Sequence, residues 1–321
     1  MQKLNIIIIG GAGFIGTTLS RTLLEAGHKI TVLSRTEVPD FFLRNGIAVL
    51  RADVSQPGSW QEQMPDFEAV INLTGASIFR RWTSRGKQEI LDSRILTTKN
   101  IVEAIKKQRG NIRQFFSVSG VGYYGFHRED ILTENSQPGL DFIAQVAKKW
   151  EDTGQPIKEL GVRLVICRLG HVLGMHGGGL PKLVTLTRLR LGSYWGSGNQ
   201  WISWVHQEDL ARAFLFLLNT HIINGPVNIT TPNPVRNKQM MQILTKTMGE
   251  RVLIPHVPKF ALQLVLGQFS SVFLNGQKVI PTVLQQRGFV FKFPNLGEAL
   301  DDLLTAKHNV KATGVIPAVH L

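Results

Sequence analysis

Cysteine is almost absent: Cys167 is the only one in 321 residues, so no intramolecular disulfide can form. It lies in VRLVICRLG, an apolar run where a small buried thiol is the ordinary role. A reducing cytoplasm suits such a chain. Long apolar runs are missing as well. The longest near the start is Ile6 to Ile9, extended only by Leu4, far short of the roughly 20 residues a membrane-spanning helix needs. It leads straight into glycines rather than into a small-residue cleavage site, so it is expected as a buried strand of a soluble protein. Acidic residues are scarce, 23 against 36 Lys and Arg, giving a formal net charge of +13. The basic residues are dispersed, with local concentrations at RRWTSRGK (80–87) and KKQRGNIR (106–113), and a solvated basic face is the ordinary reading of each. Neither nucleic acid nor a membrane is expected as a partner. His28, His127, His176, His221, His256 and His308 have no metal-ligand spacing, and no serine sits in a G-x-S-x-G turn. No metal site and no hydrolase chemistry are expected.

Hydrophobic residues make up 43% of the chain, enough for a sizeable core in one large domain or a domain with an appended lobe. LNIIIIG, HKITVLSR, IAVLRADV, FEAVINLTGA, RQFFSVSG and VRLVICRLG read as strands. Helical patterns such as ILDSRILTTKNIVEAIKKQ, with apolar residues three and four apart, separate them. Near-continuous apolar strands alternating with helices imply a parallel sheet covered on both faces. The second half differs: HGGGLPKLVTLTRLRLGSYWGSGNQWISWVH is rich in glycine and aromatics and reads as loops around one helix. The fold class expected is α/β, a Rossmann-like doubly wound parallel sheet with a smaller C-terminal substrate lobe. Residues 1–170 would form the nucleotide domain, completed by about 203–230, with 171–202 and 231–305 as the lobe and 306–321 as a tail.

In IIIIGGAGFIG, Gly10, Gly13 and Gly16 follow the first strand and open a helix. Glycines there let backbone amides approach a diphosphate, and the helix N-terminus adds partial positive charge. An NAD site usually ends the second strand with an acid that takes the ribose 2′-hydroxyl. This chain has Ser34 and Arg35 instead, which suit a 2′-phosphate and point to NADP(H). Asp53 could accept a hydrogen bond from the adenine amino group, and the small residues of Asn72 to Ala76 would let a cofactor come close.

GGAGFIG, VLSR, INLTGA, the RRW and SRGKQEILDSRI segments, SVSGVGYYG, DFIAQVAKKWE, RLGHVLG with HGGG, and GSGNQWISWVHQEDLARA together resemble the extended short-chain dehydrogenase/reductase superfamily. Within it they are most similar to the atypical epimerase branch, whose members are often mislabelled as cell-division inhibitors. The resemblance covers roughly residues 4 to 305. It implies that Gly10, Gly13, Phe14, Ile15 and Gly16 cradle the diphosphate, and that Ser34 and Arg35 take the 2′-phosphate. It further implies Leu73, Thr74 and Gly75 along the adenosine side, Glu89 and Arg94 near the cofactor, and His171 and Val172 nearest the nicotinamide.

The superfamily uses a tyrosine as acid/base and a lysine four residues later that lowers its pKa. Counted back from Glu151, those positions hold Ile143 and Ala147 here, and neither can transfer a proton. Lys148 and Lys149 are each displaced by about 100° per residue around the helix. Ser119, with Ser117 as alternative, matches the superfamily serine, and Tyr123 and Tyr124 lie just beyond the same strand end. His206, with Asp209 three residues on, would be attractive chemically, but this segment usually fastens the lobe to the sheet domain. Tyr194, Trp195, Trp201 and Trp204 crowd the lobe segment facing the cofactor, and RRW adds charge there, which would suit an anionic small-molecule substrate. A homodimer stays open. Three functions are compatible: an NADP(H)-dependent oxidoreductase or epimerase on a sugar-like or small carbonyl substrate, an NADP(H)-binding sensor or scaffold, and a nucleic-acid-associated regulator suggested by charge alone.

Overall fold

The computed structural model describes residues 3–312 apart from 109, 128 and 255. Seven strands, β1 (Asn5–Ile9), β2 (Lys29–Ser34), β3 (Ala48–Arg51), β4 (Ala69–Asn72), β5 (Gln114–Gly120), β6 (Arg163–Leu169) and β7 (Gly225–Ile229), form one sheet. Their order is β7–β6–β5–β4–β1–β2–β3, and every pair is parallel. This is the doubly wound architecture expected from the alternating pattern. The four isoleucines of β1 show why both faces must be covered. Ile6 and Ile8 pack with Leu19 and Leu23 of α1 (Phe14–Glu25), whereas Ile7 and Ile9 pack with Ile101 and Ile105 of α2 (Ser84–Gln108). Side chains alternate across a strand, so a run of apolar residues needs a helical layer on each side.

The chain leaves β1 in one direction toward β3, then returns to place β4 on β1's other side. The crevice at that reversal, outside the strands' C-terminal ends, is where doubly wound sheets bind ligands. Next to it stands α3 (Phe142–Gly154), whose first turn is capped by Asp141: its carboxylate accepts from the Ile143 and Ala144 amides.

Beyond β6 the chain builds α4 (Leu180–Arg188), returns to the sheet with α5 (Gln207–Asn219) and β7, then leaves again through α6 (Asn237–Thr247). On the sheet side, Leu210, Phe214 and Leu217 of α5 join the α1 cluster. A separate core unites Val184 of α4, Met240, Met241 and Leu244 of α6, and Leu300 and Leu303 of the last helix with Trp204. One short helix, α7 (Lys259–Leu266), has no buried residue. The last helix, α8 (Leu296–Ala312), carries chain into the stretch expected as a tail, and residues 313–321 lie outside the described residues.

Candidate functional site

The glycine loop links β1 to α1. A side chain at Gly16 would place its Cβ 2.2 Å from the Gly11 carbonyl oxygen, so the loop can fold back on the helix only with glycine there. Gly13 is the N-cap of α1 and no side chain caps the turn. The first amides of α1 are therefore left for an anionic ligand. The Phe14 ring lies under the loop after β6, where a Cβ at Gly174 or Gly177 would come within 2.4 and 2.6 Å of its atoms. Its backbone remains in the first turn of α1.

At the end of β2, Ser34 is buried and its hydroxyl accepts from the Thr36 amide at 3.2 Å. Arg35 is exposed, and among the described residues its side chain makes no hydrogen bond or ion pair. Beside it in register, Arg51 ends β3 opposite Ser34 and is also exposed. Asp53 is exposed too; the Ser55 amide, the Ser55 side chain and the Arg35 charge hold its carboxyl below the usual range. This edge of the sheet thus offers two guanidinium groups without a hydrogen-bond or ion-pair partner among the described residues, and one carboxylate.

Asn72 ends β4 and organises the turn after it. Its carboxamide donates to Thr98 at 3.1 Å and accepts from the Thr74 amide at 3.1 Å and hydroxyl at 2.6 Å. Leu73 and Thr74 are half-buried and Gly75 is exposed. The Arg94 guanidinium lies behind Gly75, donating to Ala76 and Ile90 carbonyls at 3.1 and 2.9 Å and resting over the Trp150 ring. Burial lowers its pKa to about 10, which leaves it charged at neutral pH. Glu89 is not paired with Arg94. Arg80 and Arg85 hold it at 2.5 and 3.0 Å on the exposed face of α2, and their hydrogen bonds lower its pKa. Part of the charge of RRWTSRGK is therefore neutralised by an acid two residues beyond it.

Beyond β5 the structure assembles a network that the sequence reading did not contain. Ser119 is buried and donates to Glu151 at 2.7 Å. Arg168 of β6 grips the same carboxylate through two bonds and donates to the Tyr124 hydroxyl at 2.9 Å. Tyr124 in turn donates to Asn228 of β7 at 2.7 Å. Both hydrogen-bonding positions of this tyrosine are therefore occupied by protein. Desolvation raises its pKa to about 12 against the pull of Arg168, making Tyr124 a poor proton donor or acceptor near neutrality. This corrects its candidacy as an acid/base. Tyr123 is half-buried, with the Arg168 guanidinium 3.5 Å from its ring centre, and its hydroxyl has no hydrogen-bond partner among the described residues. Glu134 completes the network: it accepts from the Asn228 and Val283 amides at 3.1 and 3.2 Å, and burial raises its pKa. One signal for Arg168 was available, since an arginine inside an otherwise apolar strand requires a buried partner.

Ile143 lies against Gly122, where a Cβ would stand 2.5 Å from its methyl, and Ala147 is buried. Lys148 is on the exposed face of α3, paired with Asp152 at 2.6 Å, and Lys149 is exposed. Neither lysine occupies the Ala147 face. His171 is exposed and Val172 half-buried on a short strand that pairs with Trp204–His206. His206 is buried and accepts from the Glu208 amide, so it caps α5; burial and then Lys292 lower its pKa to about 4. Asp209 does not support it. That carboxylate binds Arg212 and the amides of Lys292 and Phe293, tying α5 to the chain segment just before α8.

Of the four lobe aromatics only Trp195 joins a cluster with the loop after β4. Its ring meets Phe273 at 4.7 Å, Phe273 meets Phe269 at 5.1 Å, and Trp82 bridges Phe269 at 5.7 Å to Phe142 at 5.1 Å. Trp204 belongs to the lobe core, Trp201 lies under Arg236 and Lys278, and Tyr194 stacks on His256.

The model of the NAD dependent epimerase/dehydratase family matches residues 6–230, and a domain of unknown function (DUF1731) matches residues 257–303. An epimerase family protein of Staphylococcus epidermidis is 36% identical over 307 residues, 94% of this chain and 99% of that protein. The crystal structure of the human epimerase family protein SDR39U1 (isoform 2) with NADPH superposes with a TM-score of 0.82 at 31% identity, covering 94% of this chain and 99% of that one. A nucleoside-diphosphate sugar epimerase from Corynebacterium glutamicum gives 0.76 at 27% identity, covering 98% of this chain and 63% of that longer one.

Proposed function

This chain belongs to the NAD dependent epimerase/dehydratase family, and on that premise we infer that it is an NADP(H)-dependent oxidoreductase or epimerase of the atypical extended short-chain dehydrogenase/reductase type, working without a tyrosine–lysine pair on a sugar-like or small carbonyl substrate. The observation that carries the cofactor is Arg35, exposed and unpaired among the described residues at the end of β2, with Arg51 next to it and no acid in the place where NAD sites carry one. The human relative solved with NADPH supports the same choice. The uncapped first turn of α1 fits the diphosphate. Leu73, Thr74, Gly75 and Arg94 line the turn beside it, and His171 and Val172 would flank the nicotinamide.

When bound, the nicotinamide supplies or accepts the hydride. The chain's own groups would orient the substrate. Ser119 commits its proton to Glu151, so its oxygen presents lone pairs and can accept a hydrogen bond from a substrate hydroxyl. Tyr123 is the one tyrosine at this strand end whose hydroxyl is without a protein partner among the described residues, and we assign proton transfer to it. The Arg168 guanidinium over its ring holds the side chain in place.

A second reading is an NADP(H)-binding sensor or scaffold, favoured by Ile143 and Ala147 at the superfamily's tyrosine and lysine positions. Deuterium transfer separates the two. The protein is mixed with NADPH deuterated at the reactive carbon and a small-metabolite extract, and products are read by mass spectrometry. A labelled product that disappears with Tyr123→Phe establishes the enzyme. Tight NADPH binding without label in any product establishes the sensor.

A further inference from the structure

The charge excess is not spread evenly along the chain. Residues 160–297 hold 14 Lys and Arg against 3 Asp and Glu, a net +11 out of the whole chain's +13. Two stretches within them, 160–207 and 251–297, contain no acid. The same stretches carry the largest group of exposed apolar side chains. Leu189 and Leu191 follow α4, Leu253 and Ile254 precede the short strand His256–Val257, and Phe260 and Leu264 lie on α7, 72% and 85% exposed. These pieces are joined. The Leu253 amide donates to the Arg190 carbonyl at 3.0 Å, and His256–Val257 pairs with Tyr194–Trp195 before Pro258 starts α7.

A solubilising helix would show a polar face, yet α7 reads KFALQLVL and buries nothing. Exposed apolar patches of this kind mark contact with a partner. Arg188, Arg190, Arg251 and Lys259 surround the patch, all exposed and none engaged by a side-chain hydrogen bond or ion pair among the described residues. Glu250 and Asp301 line a cleft with Arg188, two acids at one edge of a face with four cations. A second copy of the chain docked here about a two-fold axis would bring these cations together with no acid in either stretch to oppose them. Lipid headgroups of opposite sign would instead satisfy the arginines while the leucines and Phe260 enter the boundary between headgroups and acyl chains.

We propose that the face formed by α7 and the loops at 189–191 and 253–254 binds peripherally to an anionic lipid bilayer. At eight residues, α7 lies on the membrane and does not cross it, and among the described residues no helix is long and apolar enough to do so. This departs from the expectation, drawn from the missing apolar runs, that no membrane is a partner.

Vesicle co-sedimentation of the full chain tests the proposal, with phosphatidylcholine alone and with phosphatidylcholine containing phosphatidylglycerol. Binding is expected to the second vesicle only and to weaken as salt rises. The double variant Phe260→Ser, Leu264→Ser should bind at least about tenfold more weakly with an unchanged circular dichroism spectrum and melting temperature, since both side chains are exposed. Arg251→Glu with Lys259→Glu should reduce binding as well. No sedimentation with the anionic vesicle, equal binding to both vesicles, or full binding by the serine variant would overturn the proposal. So would a lipid-free dimer that the serine variant converts to monomer, because a second copy would then cover the face.

Discussion

Arg168 and Glu151 meet as a two-pronged pair, Nε to Oε1 at 2.9 Å and Nη2 to Oε2 at 2.8 Å, with side chains only 4% and 6% exposed. In such an environment the pair is held less by its own attraction than by the cost of leaving either charge alone. Glu151→Leu should therefore destabilise by about 3–5 kcal/mol, and Arg168→Met by a similar amount. The double variant should cost much less than the sum of the two. Urea denaturation of all four proteins checks this, and additive losses would contradict it.

Arg35→Ala should weaken NADPH binding by about 10- to 100-fold, the loss of one charge-assisted contact of roughly 1.5–3 kcal/mol. NADH lacks the 2′-phosphate, so its affinity should change by less than about twofold. Titrations with both cofactors read the difference. Equal losses would remove Arg35 from the 2′-phosphate.

Acid should destabilise the fold through His206. Its pKa is about 4 in the folded chain against 6.5 for the ordinary imidazole, because burial disfavours the charged form. Above pH 6.5 it is neutral whether folded or not. As pH falls from there toward 4 the unfolded chain takes up the proton first, and up to about 3 kcal/mol of stability is lost. His28, whose pKa burial also lowers, adds loss in the same direction. Asp302, 3.4 Å from the His206 ring, and Lys292 are the charges facing it. His206→Asn keeps a side-chain acceptor for the α5 cap and should flatten the fall in urea midpoint between pH 7 and 5. An identical fall in the variant would exclude His206 as its source.

Gly174→Ala should cost about 1–3 kcal/mol, because its Cβ would stand 2.4 Å from the Phe14 ring and 2.3 Å from Gln207 Oε1. Phe14→Leu in the same chain should restore part of the loss. Thermal denaturation of the two variants decides the matter, and no recovery would mean that the glycine is required for another reason.

Six of the seven strands were readable from the sequence because each is a short apolar run followed by turn residues, and periodicity reports burial directly; β7, GPVNI, carries no such run. The glycine turn into α1 was readable for the same kind of reason: the close approach of Gly16 to Gly11 and the N-cap at Gly13 are set within one turn of chain. The polar network was not. Ser119 and Tyr124 share SVSGVGYYG, but Glu134, Glu151, Arg168 and Asn228 come from four other segments, and no spacing rule relates the five. Glu89 mixes the two cases: Arg85, four residues before it on the same helix, is within reach of a spacing rule, whereas Arg80 reaches it from the preceding loop.

Because β7 is made more than fifty residues after β6 yet seals its edge, and α5 supplies part of the layer over α1, a nascent chain released up to residue 200 would carry an open strand edge and a half-covered hydrophobic sheet. Folding during synthesis must then wait until residue 229 has emerged, with long-range pairings closing the structure last. Truncations anywhere between 170 and 229 are accordingly expected to aggregate instead of yielding a free-standing nucleotide-binding half.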